Sequence, residues 1–99
     1  MLIAGNWKMY KGPREAAAFC RELRDAALPD DVDAVVCPPY VSLERAVQVL
    51  AGTEIGVFAQ SCHWQREGAF TGEVSAPMLR EVGVNGTLVA HSERRQWFG

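Results

Sequence analysis

The sequence predicts an α/β protein built on a parallel sheet, and three observations carry that reading. Short apolar runs alternate with amphipathic stretches in the order βα, βα, βα, β. The apolar runs are nearly continuous, as in strands covered on both faces by helices. Each pair of strands is separated by enough chain for a right-handed crossover. At 99 residues the chain is one domain or part of one, and no linker, repeat or charge run divides it. A doubly wound sheet and a closed barrel both fit this pattern, and periodicity does not separate them. A dinucleotide-binding G-x-G-x-x-G after the first strand would favour the doubly wound sheet. The residues there are Gly5-Asn6-Trp7-Lys8, so that fingerprint is absent.

Each element has its own signal. Residues 2–7 form the first strand. Pro13 opens a helix running to about Ala27, since proline's missing N–H is unpaired in a first helical turn anyway. Ala16, Phe19, Cys20, Leu23 and Ala27 share one face of it at 3–4 residue spacing. Pro29, Asp30 and Asp31 end that unit. The second strand is 32–37, stopped by Pro38-Pro39. Ser42 is placed to cap the next helix, whose buried stripe is Leu43, Ala46, Val47 and Leu50, with Gly52 closing it. Residues 55–59 make the third strand, and a polar, glycine-rich loop covers 61–73. Ser75 caps a short helix carrying Met78, Leu79 and Val82, ended by Gly83. The fourth strand is 87–90, with His91 at its C-terminal end.

Composition removes several function classes. Hydrophobic residues at 48% and charged residues at 22% are ordinary for a globular chain. A formal net charge of −2 offers no electrostatic footprint for nucleic acid or an anionic membrane. No apolar run approaches the ~20 residues that span a bilayer, and Asn6, Lys8 and Lys11 interrupt the only start that could resemble a signal peptide. The expected location is cytoplasmic. Cys20, Cys37 and Cys62 are odd in number and widely spaced, which speaks against a disulfide framework and structural zinc. Cys62 and His63 are sequence neighbours, a poor chelating arrangement on an extended chain. Reduced, mostly buried thiols and no metal are expected.

In parallel α/β proteins the chemistry gathers just past the C-terminal ends of the strands. Asn6 and Lys8 follow the first strand, Gln60 the third, and His91-Ser92-Glu93 the fourth, so all share one rim. In a flat sheet the first and fourth strands would lie ~14 Å apart at ~4.8 Å per step. Curling into a barrel turns their side chains toward a common axis. Taken singly, Lys8 reads as a solvated charge, His91 as a satisfied histidine at a helix start, and Glu93, Arg94 and Arg95 as an ordinary charged first turn. Trp7, Trp64 and Trp97 read as packing residues.

Together these segments resemble one family. Gly5-Asn6-Trp7-Lys8-Met9, Cys37-Pro38-Pro39, Ala59-Gln60, Gly68-Ala69-Phe70-Thr71-Gly72-Glu73 and His91-Ser92-Glu93-Arg94-Arg95, in this order and spacing, look like triosephosphate isomerase from residue 2 to residue 99. The resemblance implies the N-terminal half, about four βα units, of a (β/α)8 barrel, as a single half-barrel segment with no second domain. It implies interconversion of dihydroxyacetone phosphate and glyceraldehyde 3-phosphate, a step of glycolysis and gluconeogenesis, without metal or organic cofactor. Asn6 and Lys8 would contact substrate, the lysine supplying positive charge to the phosphate and the developing enediolate. His91 would be the neutral electrophile, a role for which this family is the standard illustration. Glu93 would position rather than abstract protons. Three positions depart from the family pattern: Ala90 for a glycine, Ser61 for asparagine or aspartate, and Tyr10 for a polar residue.

The resemblance also implies what 99 residues lack. The family's general base is a glutamate after strand six, and its phosphate loops follow strands seven and eight; no carboxylate here matches that base. These residues alone are expected to be inactive, and to work with a separate C-terminal half or as a truncated module that associates with itself. Two open strand edges and an uncovered face favour association. Phe70, Thr71, Gly72 and Glu73 would form one interface, as the family inserts this loop into a neighbouring subunit of its homodimer.

Overall fold

The computed structural model describes residues 1–26 and 28–89. Four parallel strands pair in sequential order: β1 (Leu2–Asn6), β2 (Asp33–Cys37), β3 (Gly56–Ala59) and β4 (Gly86–Thr87). The register sets Asn6 beside Cys37, Val36 beside Val57, and Ala59 beside Thr87. A doubly wound sheet reverses its strand order around the first strand, and that reversal is what opens its ligand crevice. No reversal occurs here, so the sheet is singly wound, as in a barrel.

Three helices fill the crossovers: α1 (Pro13–Asp25), α2 (Tyr40–Leu50) and α3 (Ala76–Val82). The expected stripes are the ones buried. Ala16 and Cys20 of α1 join Leu43, Ala46 and Leu50 of α2, Leu79 of α3, and Val36, Val57 and Ala59 of the sheet in one core, with Phe19, Leu23 and Val47 packed against it. Trp7 seals its upper end, 8% exposed, with its ring edge-on to Phe19 at 5.4 Å. The expected Ala27 contact lies outside the described residues.

Four expectations need correction. First, the apolar strands are not covered on both faces: β1 is exposed along Leu2–Gly5, and Leu2 and Ile3 keep 66% and 52% of their surface. Val36, Val57 and Ala59 pack into the core beneath the helices, while on the opposite face Cys37 is buried but Val35 and Phe58 are only half-buried, so that face is incompletely covered among the described residues. Second, Ser42 is not a cap. Pro39 precedes the helix, which begins at Tyr40, and the Ser42 hydroxyl donates instead to the Lys11 carbonyl at 2.6 Å. Third, Ser75 holds the cap position of α3, but its side chain makes no capping bond, and its buried Oγ has no partner. Fourth, Trp64 is not a packing residue; it is 84% exposed and stacks only on the neighbouring His63 ring, at 5.9 Å. Smaller differences are at element ends: β2 and β3 each start one residue late, α1 ends at Asp25, and β4 is shorter, although the Leu88 N–H still donates to Ala59. Ala90 and Trp97 lie outside the described residues; among the described ones, no helix is long and apolar enough to cross a membrane.

Candidate active site

The C-terminal rim of the sheet is built around the loop that follows β1. At its start the Asn6 Oδ1 turns back to accept the Lys8 N–H at 2.9 Å, a local turn that asparagine favours. The Trp7 N–H meanwhile donates to the Cys37 carbonyl at 3.2 Å, continuing the β1–β2 ladder one step past the strand. With its amide captured this way, Lys8 takes a left-handed backbone, φ +54°, and Lys11 does so again at φ +69°. Non-glycine residues with positive φ are uncommon and gather where surrounding structure over-determines them.

That surrounding structure is visible. The Gln60 side chain, just past β3, donates through Nε2 to the Lys8 carbonyl at 2.7 Å and to the Cys37 carbonyl at 2.8 Å. Ser42 holds the far end of the loop through Lys11. The Lys11 ammonium rests near the Phe19 and Trp7 rings, 5.0 and 5.9 Å from their centroids, within cation–π range. An open depression of about 500 Å3 beside the loop is lined by Asn6, Trp7, Met9, Tyr10, Lys11 and Glu15. Asn6, Lys8 and Gln60 therefore meet on one rim, as expected. A cation on a backbone fixed in advance can stabilise a bound anion without reorganising first.

His91 and Glu93, with Ser92, Arg94 and Arg95, lie outside the described residues. The sequence puts Gln60 on the rim without a role, and Ser42 ties down the loop instead of capping α2. A polar residue closing the otherwise apolar run 57–59 was the available signal for the first. No local signal exists for the second, since its partner is 31 residues away.

The loop after β3 stands apart from this rim. The His63 N–H donates to the Val74 carbonyl at 2.8 Å, closing the loop at its base. Inside it, the His63 and Phe70 rings lie 4.2 Å apart, and Gly68 has φ +145°. A Cβ on Gly68 would fall 2.6 Å from the Phe70 ring, so only glycine fits there. Thr71, Gly72 and Glu73 are exposed, and Phe70 keeps 38% of its surface. Ser61 is tied to α2 by Tyr40, whose hydroxyl donates to the Ser61 carbonyl at 2.9 Å. A cavity of about 180 Å3 under the loop is lined by His63, Arg66, Phe70, Ser75 and Met78, among others.

The three cysteines are free thiols; burial pushes the Cys20 and Cys37 thiols up from their ordinary range, which keeps them protonated and unreactive. Among the described residues, no three His, Cys, Asp or Glu side chains gather as a metal site would need.

The family described as triosephosphate isomerase matches residues 1–99. The triosephosphate isomerase of Carboxydothermus hydrogenoformans is 54% identical over 99 residues, covering 98% of this chain and 39% of that protein. Those of Alkaliphilus metalliredigens and Acetivibrio thermocellus are 50% and 48% identical, over 98% and 100% of this chain, and again 39% of theirs. The chain thus spans about two-fifths of the length of these relatives, as the first βα units of a (β/α)8 barrel. With the match running from end to end and the strands winding in a single direction, the chain belongs to the triosephosphate isomerase family.

Proposed function

We propose that these residues supply the lysine and electrophile side of a triosephosphate isomerase active site, as one half-barrel segment. Completed by a C-terminal half, it interconverts dihydroxyacetone phosphate and glyceraldehyde 3-phosphate in the cytoplasm, without a cofactor. Asn6 and Lys8 bind the substrate, and the Lys8 ammonium offsets the charge of the phosphate and of the enediolate. A base from outside these residues removes the carbon-bound proton. His91 polarises the carbonyl and moves a proton between the two substrate oxygens, with Glu93 as a positioning residue. The observation that carries this reading is the clamped Lys8 backbone beside Asn6 on the rim.

A second reading, a self-associating module without the reaction, draws on the incompletely covered sheet face and on Met9, Tyr10 and Trp64, which are 93%, 71% and 84% exposed. The two readings separate by assay. Residues 1–99 alone should isomerise poorly, because general acid–base catalysis typically contributes ~10²–10⁴-fold and its base lies elsewhere. Adding the C-terminal half of a relative should restore turnover. Turnover by residues 1–99 alone within tenfold of a full-length enzyme would sink the first reading, and a folded but inactive complex of the two halves would favour the second.

A further inference from the structure

We propose that Gln60 is a positioning residue that aims Lys8. The inference rests on the reading that Lys8 binds the triose phosphate. The direction in which a side chain leaves the backbone is set by the two peptide planes that meet at its Cα. At Lys8 both planes are held by side chains. The preceding plane is fixed through the Lys8 N–H on Asn6 Oδ1 at 2.9 Å. The following plane is fixed through the Lys8 carbonyl, which accepts from Gln60 Nε2 at 2.7 Å. The result is the left-handed backbone at φ +54°, which lysine does not favour and which one clamp alone leaves free to relax.

Gln60 is suited to this task by its chemistry. Its partners are both carbonyl oxygens, Lys8 and Cys37, so only an NH2 group can serve both, and the amide orientation follows. Cys37 O is also the acceptor for the Trp7 N–H. One side chain from the end of β3 therefore ties the lysine loop to the anchor point that ends β1 and β2. The bond to Lys8 is exposed. Water can replace it there at little cost in stability, but water cannot hold the peptide plane in one orientation. Loss of Gln60 should thus affect chemistry far more than folding.

The test uses a full-length chain in which residues 1–99 continue into the remaining residues of the Carboxydothermus hydrogenoformans relative. Gln60→Met keeps the length of the side chain and removes both donors. It should lower kcat/KM at least tenfold, with a rise in KM, while Tm falls by no more than a few degrees. Lys8→Met should be severely impaired, and adding Gln60→Met to it should cost less than a further twofold, because the glutamine acts through the lysine. Gln60→Glu, which has the shape but no donor, should behave like Gln60→Met and serves if that variant melts too low to assay. An impaired Lys8→Met alongside a Gln60→Met within twofold of the parent would overturn the inference and leave the proposed function standing. An equal loss from Gln60→Met with and without Lys8, or failure of both Gln60 variants to fold, would mark a structural residue and overturn it too. Full activity in Lys8→Met would overturn the proposed function, and the inference with it.

Discussion

Lys8 and Lys11 both carry positive φ, but they are held for different reasons. Lys11 points its ammonium at the Phe19 and Trp7 rings, so its conformation is matched by a contact of the side chain itself. At Lys8 the backbone itself is gripped from two sides, its N–H by Asn6 and its carbonyl by Gln60. Left-handed backbone costs a non-glycine residue ~1–2 kcal/mol, and glycine returns about half of that through the entropy of the unfolded chain. Lys8→Gly should therefore be more stable than Lys8→Ala by up to ~1 kcal/mol in urea denaturation, since the two differ in backbone freedom and not in the lysine side chain. Lys11→Gly should show no gain, because the cation–π contact, worth ~0.5–1 kcal/mol, is lost with the side chain. A Lys8→Gly variant less stable than Lys8→Ala would mean that the backbone there is not strained. None of this was visible in the sequence, where the two lysines differ only by position; the left-handed turn is imposed by Gln60 and Ser42, which approach from other elements.

At the scale of the elements, the order βα, βα, βα, β and the buried stripes were legible because each rests on local periodicity. The starts of α1 at Pro13 and of α3 after Ser75 were legible as well, but the start of α2 and the roles of the two serines were not. Serine is a capping residue when the chain offers it nothing better, and both serines found other surroundings. Ser42 falls inside the first turn of α2, where its N–H donates to the Pro39 carbonyl at 3.0 Å and its hydroxyl reaches Lys11. Pro39, with φ already near the helical value, takes over the entry to the helix. Ser75 sits where a cap should, but its hydroxyl is buried without a partner. The two should respond in opposite ways. Ser42→Ala removes a buried hydroxyl and strands the Lys11 carbonyl, at a cost of ~1–2 kcal/mol. Ser75→Ala removes an unsatisfied group and should be neutral or slightly stabilising, against the ~1 kcal/mol that loss of a working cap costs. Chemical denaturation of both variants checks the pair, and a Ser75→Ala loss of a full kcal/mol would show that the hydroxyl caps α3 after all.

At the scale of the whole molecule, the singly wound order puts the three helices of the described residues on one side of the sheet and leaves its other side without a covering layer among them. The family motifs located the rim residues Asn6, Lys8 and Gln60, but the exposure of β1 follows from how the layers stack, which no window of sequence reports. Leu2 at 66% and Ile3 at 52% are large apolar residues on a strand with one unpaired edge, a combination that invites pairing with other chains. The loop after β3 presents Thr71 and Gly72 well away from that edge in sequence. Residues 1–99 should therefore self-associate in solution, through the incompletely covered sheet face and its β1 edge at one contact and through the loop at another. The depression beside Asn6, Met9 and Tyr10 offers the loop a receiving surface on a second copy. Sedimentation at tens of micromolar should show a dimer or larger species. Leu2→Lys, which sets a charge on the open face, should reduce the sheet-mediated assembly. Thr71→Arg should remove the loop-mediated contact, since an arginine at the tip is far bulkier than threonine and brings a second cation to a recess that already holds Lys11. A folded monomer in the parent chain would refute the association, and an unchanged oligomer in Thr71→Arg would take the loop out of it while leaving the sheet face as the remaining contact.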